Sequence, residues 1–271
     1  MRCRKWITFL SWVLLSLQAL GCASRQVPRA ANSTVTLRVM TWNIHHGEGM
    51  DGAVDLERVA KVIQMAHPDL VALQEVDRGV SRTGHRDLPH ELAALTGMTC
   101  LFSNNYHFGG GEYGNAILTR FPVESWTNYH FAMLSPVEQR GLLQARLRTR
   151  GRTIVFMNTH LDAQRDDAER LNESTQLLAL SKSCFSDAVI VCGDFNATPD
   201  HPVTAGMKTL FDDAWELAGQ GDGFTIPVAT PNRRIDYIWL SRSSEWTVRS
   251  IQIITTDASD HLPVVAELEL K

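Results

Sequence analysis

Ala188-Val189-Ile190-Val191-Cys192-Gly193-Asp194-Phe195-Asn196 is an apolar strand whose C-terminal end turns abruptly polar. The same arrangement recurs along the chain. Asn43 follows Val39-Met40-Thr41-Trp42, Glu75 follows Leu70-Val71-Ala72-Leu73-Gln74, and His160 follows Ile154-Val155-Phe156-Met157-Asn158-Thr159. Asp236 follows Arg234-Ile235, and Asp260-His261 stands just before Leu262-Pro263-Val264. Polar groups at the ends of rigid strands are a recurrent way to build an active site, because the sheet fixes what the loop presents.

Outward from these runs the chain alternates strands and helices. Val35 to Asn43 places Val, Leu, Val and Thr on one side and Thr, Arg, Met and Trp on the other, a strand with both faces partly buried. Asp55 precedes a helical stripe of Leu56, Val59, Ala60, Val62 and Ile63 that Pro68 stops. Further strands are expected at residues 70–76, 99–102, 116–119, 124–131, 142–147, 154–158, 188–192, 235–240, 247–255 and 264–270. Helices fit residues 89–95 and 166–182, the second on a stripe of Ala168, Leu171, Thr175 and Leu178. Interleaved strands and helices, with strands in excess, predict a layered α/β protein with mixed sheets. Long loops are expected at residues 79–89, 109–111 and 218–234, where substrate contacts belong.

The polar residues are carboxylates, amides and two histidines. Carboxylate and amide oxygens are hard ligands that suit Mg²⁺, Mn²⁺ or Ca²⁺ rather than Zn²⁺, and Mg²⁺ leaves coordination positions for water and a substrate phosphate. A histidine beside an aspartate supplies an oriented imidazole for acid or base work. The set fits metal-assisted hydrolysis of a phosphate ester.

Trp42-Asn43, Leu73-Gln74-Glu75, Asn158-Thr159-His160-Leu161-Asp162, Gly193-Asp194-Phe195-Asn196, Arg234-Ile235-Asp236-Tyr237-Ile238 and Ser259-Asp260-His261-Leu262-Pro263-Val264 closely resemble the ordered motifs of the endonuclease/exonuclease/phosphatase superfamily. The resemblance spans about residues 36 to 270. It implies a four-layer α/β/β/α sandwich of two mixed sheets (DNase I-like), with the site at one end of the sheets. By the same resemblance Glu75 binds the divalent metal, with Asn43 and Asp260 as direct or water-mediated ligands. Asp194 orients or deprotonates the attacking water, and Asn196 holds the scissile phosphate or the metal shell. His261, oriented by Asp236, and His160 hydrogen-bond the phosphoryl oxygens.

One departure bears on substrate. Two residues beyond Asn43, where many abasic-site nucleases of the superfamily carry an Asp, this chain has His45. The stretches Asn43-Ile44-His45-His46-Gly47 and Tyr113-Gly114-Asn115-Ala116-Ile117-Leu118 are more similar to the bacterial metal-dependent hydrolase branch. Read on their own, His45 and His46 are structural or solvated, and Arg78, Arg82 and Arg86 form a scattered charged loop. Tyr113 and Asn115 divide evenly between substrate contact and a turn feeding a strand, and Trp42 belongs to the core.

Composition sets the remaining bounds. The chain has 271 residues, 44% hydrophobic and 21% charged, which excludes a disordered or collagen-like chain. Formal net charge is −4, and without Arg2, Arg4 and Lys5 the 23 remaining basic residues face 30 acidic ones. A protein that grips nucleic acid through its phosphates usually shows a basic excess, so a nucleic-acid partner is not favoured. Residues 1–21 have a charged start and an apolar run of signal-peptide layout. Ala19-Leu20-Gly21-Cys22 is similar to a bacterial lipobox with two positions swapped, so Cys22 is the expected lipid attachment to a membrane. Residues 22–34 read as a flexible tether, and the enzyme domain as residues 35–271. Cys100, Cys184 and Cys192 are odd in number and make no disulfide framework.

These readings describe an exported metal-dependent phosphoric ester hydrolase, anchored to a bacterial cell envelope or else periplasmic or secreted. Phospholipid headgroups or inositol phosphates are the first substrates to consider. A secreted nuclease of the same chemistry and a catalytically silent surface-binding protein are the competing readings.

Overall fold

The computed structural model describes residues 34–271 apart from Val137, so the signal segment, Cys22 and nearly all of the tether lie outside the described residues. In chain order the elements are β1 (Val35–Asn43), α1 (Leu56–Ala66), β2 (Leu70–Arg78), α2 (Leu88–Thr96), β3 (Thr99–Phe108) and β4 (Gly111–Thr119). Then come β5 (Val123–His130), β6 (Gly141–Thr149), β7 (Arg152–His160), α3 (Ala168–Lys182), β8 (Ala188–Asp194) and α4 (Pro202–Met207). Last are β9 (Phe211–Asp213), α5 (Ala214–Ala218), β10 (Asp236–Ser241), β11 (Trp246–Ile253) and β12 (Val264–Leu270).

The strands form two six-stranded sheets, ordered β11-β12-β1-β2-β4-β3 and β5-β6-β7-β8-β10-β9. Both are mixed: β1 runs parallel to β2 and β7 parallel to β8, and the other pairings are antiparallel. The period of two along each strand sorts its residues between two cores. Val35, Leu37 and Val39 of β1 face Phe156, Ile190 and their neighbours between the sheets, whereas Met40 and Trp42 face out beneath Leu56, Val59 and Ile63 of α1. On the second sheet Val155, Met157, Val189 and Val191 point out to Leu177 of α3 and Val203 of α4. Three apolar layers between four structural layers make the α/β/β/α sandwich, and Trp42 is a core residue as expected.

The same parity positions the functional groups. Continuing the inward set in steps of two gives Asn43 on β1, Asn158 and His160 on β7, and Asp194 after Cys192 on β8; on β10, Asp236 precedes Ile238 in the inward register. The inter-sheet core therefore ends in polar side chains at one end of the sandwich. Just below that end, Gln74 Nε2 donates to Asn158 Oδ1 at 2.7 Å, and Asn158 Nδ2 donates to the carbonyls of Leu73 and Ala116 at 2.8 Å. These buried amides tie one sheet to the other under the site.

Several elements depart from expectation. β3 and β4 run further, to Phe108 and from Gly111, because the residues around the glycines keep pairing up to a hairpin turn at Gly109-Gly110. The short β9, α4 and α5 carry too few residues to show periodicity in the sequence. On α3 the buried face holds Glu169, Arg170, Glu173, Ser174 and Leu177, and Leu171 of the expected apolar stripe is exposed. That face is polar because it serves loops: Glu173 Oε2 accepts from the Asp162 N–H at 2.7 Å, Glu169 Oε1 from the Ser135 N–H, and Arg170 donates to the Asn196 carbonyl. Cys100, Cys184 and Cys192 are free thiols.

Candidate active site

A cavity of about 310 Å³ opens at the polar end of the sandwich. Asn43, Glu75, His160, Asp194, Asn196 and His261 line it. Six of the eight residues singled out from the sequence therefore share one space, although they come from both sheets and from loops far apart in the chain.

Asp194 is the hub. Its Oδ2 accepts from Asn43 Nδ2 at 3.1 Å and lies 3.5 Å from His160 Nε2 and 3.7 Å from His261 Nε2. Its Oδ1 accepts from the Asn196 N–H at 2.9 Å. Gly193 lets β8 approach β7 here, since a Cβ on it would stand 2.0 Å from the Thr159 carbonyl oxygen. Glu75 reaches the cavity by another route. A break in the β2–β4 register between Leu73 and Val76 leaves it in left-handed backbone, φ 58°, and Asn43 Nδ2 holds its Oε1 at 3.0 Å. Asn196 is left-handed too, φ 45°, with Nδ2 donating to the Leu161 carbonyl at 3.0 Å.

The remaining two residues stand outside the cavity wall. Asp236 lies behind His261: its Oδ2 accepts from His261 Nδ1 at 3.0 Å and from Thr225 Oγ1 at 2.5 Å. Asp260 is half-buried, with Ser259 Oγ 3.4 Å from its Oδ1, and is not among the lining residues. Asn43 uses its nitrogen on both carboxylates, and its oxygen accepts from the His45 N–H at 3.0 Å. In this arrangement Asn43 spaces Glu75 from Asp194, and Asp260 adds negative potential behind His261.

The surroundings push the two histidines in opposite directions. Burial, and then Arg140 and His261, push His160 well below the usual imidazole range. Burial pushes His261 down as well, but Asp236 and Asp194 together override it and raise it to about 10, so it is a cation at neutral pH. Burial first, and the nearby Asp236 second, push Asp194 well above the usual carboxylate range.

The donor chemistry fits a hard divalent cation. Asp194 is a buried carboxylate beside a second one, and Glu75 brings another carboxylate into the same cavity; cation charge relieves such crowding. Asp194, Asp236 and His261 have ligand atoms within 4.8 Å of one another. Asp236 already satisfies His261 and Thr225, and Asp194 takes Asn43 and the Asn196 N–H, so Glu75, held by Asn43 alone, is the carboxylate with most room for an ion.

Residues that the motifs did not reveal complete the wall: Tyr106, Phe108, Glu138 and Arg140. Arg82, expected in a scattered charged loop, also lines the cavity; Asp77, fully buried, accepts from its Nε and Nη2 at 2.8 and 2.9 Å. Arg78 and Arg86 pair with Glu112 and Glu91 instead. Tyr113 lines the cavity, and the buried Asn115 donates to the Gly141 carbonyl at 3.4 Å. His45 and His46 are left-handed, φ 45° and 44°, and neither is a lining residue.

The profile of the endonuclease/exonuclease/phosphatase family matches residues 40–261. The chain belongs to this family, whose members hydrolyse phosphoesters. It is 27% identical to protein YbhP of Escherichia coli over 256 residues, covering 87% of this chain and 97% of that one. It is also 27% identical to a 5′-tyrosyl-DNA phosphodiesterase of Caenorhabditis elegans, over 67% of this chain and 48% of that enzyme. Among solved structures, a mannosyl-6-phosphatase from Bacteroides thetaiotaomicron superposes with a TM-score of 0.73 at 18% identity, covering 86% of this chain and 99% of that one. The chain is thus similar in sequence to an enzyme named for a diester and in fold to one named for a monoester.

Proposed function

We propose that the protein is a divalent-metal-dependent phosphoester hydrolase, exported and held at a bacterial envelope by lipid on Cys22. The observation that carries the chemistry is the placement of His160 Nε2 and His261 Nε2 at 3.5 and 3.7 Å from Asp194 Oδ2, with Glu75 in the same cavity. Groups whose surroundings push their proton affinities apart are how one site supplies both base and acid.

Glu75 is the residue to hold Mg²⁺ or Mn²⁺, which when bound supplies Lewis-acid polarisation of a phosphoryl oxygen. Asp194, its proton affinity raised by burial, takes a proton from the attacking water as the water oxygen bonds to phosphorus. Asn43 keeps Asp194 and Glu75 in place through one amide nitrogen. Cationic His261, fixed by Asp236, donates from Nε2 to the phosphoryl oxygens as their charge grows, and His160 lies across Asp194 from it. The bond from phosphorus to the leaving oxygen breaks; that oxygen leaves as an anion that takes a proton from solvent, and Asp194 returns the proton it received to solvent.

The mature chain should hydrolyse p-nitrophenyl phosphate or its bis ester in Mg²⁺ or Mn²⁺ and lose that activity in EDTA, with Asp194→Ala as the blank. Turnover that survives either treatment overturns the reading. The export reading rests on the layout of residues 1–22. Radiolabelled palmitate should enter the protein in bacteria and be lost in Cys22→Ser.

A further inference from the structure

Arg140 has no part in the chemistry above, yet it lines the same cavity at only 6% exposure. Its ion pair is with Glu138, Nη1 to Oε1 at 3.0 Å, and its buried Nε has no hydrogen-bond partner. A guanidinium offers five donors in a rigid fork, more than its pairing with Glu138 uses, and one that lines a cavity can turn the remaining donors to a ligand oxygen. Its charge acts on His160 and Glu75, so it belongs to the same electrostatic space as the reacting groups. Tyr113 and Glu138 line the cavity with it.

The oxygens of a phosphate ester can be counted against the donors. A diester has two non-bridging oxygens, for which the site already has His261 and the cation that Glu75 would hold. A terminal phosphate has three, with a second negative charge. We infer that Arg140 receives the third oxygen of a terminal phosphate group, so that this cavity selects phosphomonoesters over phosphodiesters. The inference rests on the hydrolase reading of the site only for turnover; as an anion clamp Arg140 acts in binding alone. The planar fork matches two oxygens of one phosphate, which a lysine in its place does not.

The test compares wild type, Arg140→Gln and Arg140→Lys in Mg²⁺ near pH 8, where phosphate is mostly dianionic. Isothermal titration reads the binding of inorganic phosphate against dimethyl phosphate, and initial rates read p-nitrophenyl phosphate against its bis ester. Arg140→Gln should weaken inorganic phosphate about 30-fold and dimethyl phosphate less than about 3-fold, the scale of one lost charge-assisted contact. The ratio of monoester to diester kcat/KM should fall by roughly the same factor. Should Arg140→Gln fail to melt cooperatively, Arg140→Lys carries the comparison with a selective loss of about 5-fold. Equal weakening of both anions, or of neither, overturns the inference. If wild type turns over neither ester while phosphate binding still depends on Arg140, the clamp stands and the hydrolase reading falls.

Discussion

The two sheets build their halves of the site by different physics. The sheet of β7, β8 and β10 delivers His160, Asp194 and Asp236 by register alone: each is the next inward residue after or before an apolar one on an ordinary strand. The sheet of β1 and β2 delivers Glu75 through a register break and left-handed backbone, and one residue after Asn43 the chain enters the left-handed His45, His46 and Gly47. His160, Asp194 and Asp236 are held by pleat, and Glu75 is held by left-handed backbone that the surrounding packing must maintain. The helical layers differ in the opposite sense. α1 lays Leu56, Val59 and Ile63 on the strained sheet with no polar role in the site, whereas α3 turns buried Glu169, Arg170 and Glu173 to the loops around the site of the regular one.

The largest effect should come from the strained half. Glu75→Gln keeps the shape and removes the charge that draws the cation, so kcat/KM should fall by roughly 10³-fold or more and the Mg²⁺ concentration for half-activity should rise. Initial rates across a Mg²⁺ titration check this. An unchanged metal requirement would transfer the ion to the Asp194, Asp236 and His261 group, and the division of labour between the sheets with it.

The regular half should respond with a shift in pH profile. His261 is protonated up to about pH 10 because Asp236 and Asp194 raise it against burial. Asp236→Asn removes the larger of those two contributions, so the imidazolium loses its proton at lower pH. The alkaline limb of the rate profile should move toward neutrality, and activity near pH 7 should drop by roughly 10²-fold. A profile with the same alkaline limb and uniformly lower rates would mean that Asp236 only packs.

The polar face of α3 should appear in stability rather than in rate. Burial raises Glu173 to about 7 although the Asp162 N–H favours its charged form. An acid whose folded pKa lies above its unfolded one binds more protons in the folded state between the two values. Stability is then greatest below about pH 4.5 for this group and declines as pH rises through about 7. Glu173→Gln should flatten that decline by roughly 2 kcal/mol between those limits, read from urea unfolding at several pH values. α1 has no buried acid, so no variant on its apolar face should show this signature.

How far the sequence carried the reading follows from the same division. Apolar strands ending in polar residues expose themselves, so Asn43, Glu75, His160, Asp194, Asn196 and His261 were legible, as was the layered sandwich. Arg140 was not, because it precedes β6 in a loop with no apolar run before it to mark a strand end. The buried side of α3 was misjudged because its leucines suggest an apolar stripe, and only the loops at Asp162, Ser135 and Asn196 explain why charged residues turn inward. The bulge at Glu75 leaves no mark in residue type, since nothing in Gln74-Glu75-Val76 announces left-handed backbone. Arg82 reads as one of three arginines in a loop until Asp77 is seen buried beneath it.

The smallest effect separates strain that serves the site from strain that does not. His67 ends α1 in left-handed backbone, φ 48°, far along the chain from any lining residue but Glu75, and its N–H merely bonds the Gln64 carbonyl at 3.2 Å. A glycine suits that position because it has no Cβ to crowd the carbonyl, so His67→Gly should raise stability by about 0.5–1 kcal/mol with kcat/KM unchanged. His45 has nearly the same φ, but its N–H holds the oxygen of Asn43, whose nitrogen spaces Glu75 from Asp194. His45→Gly relieves the same crowding and also frees the backbone to leave that conformation, so any gain in melting temperature should come with a several-fold loss of kcat/KM. If both variants gain stability at full activity, the left-handed turn after β1 is only a connection, and the contrast between the two sheets narrows to Glu75.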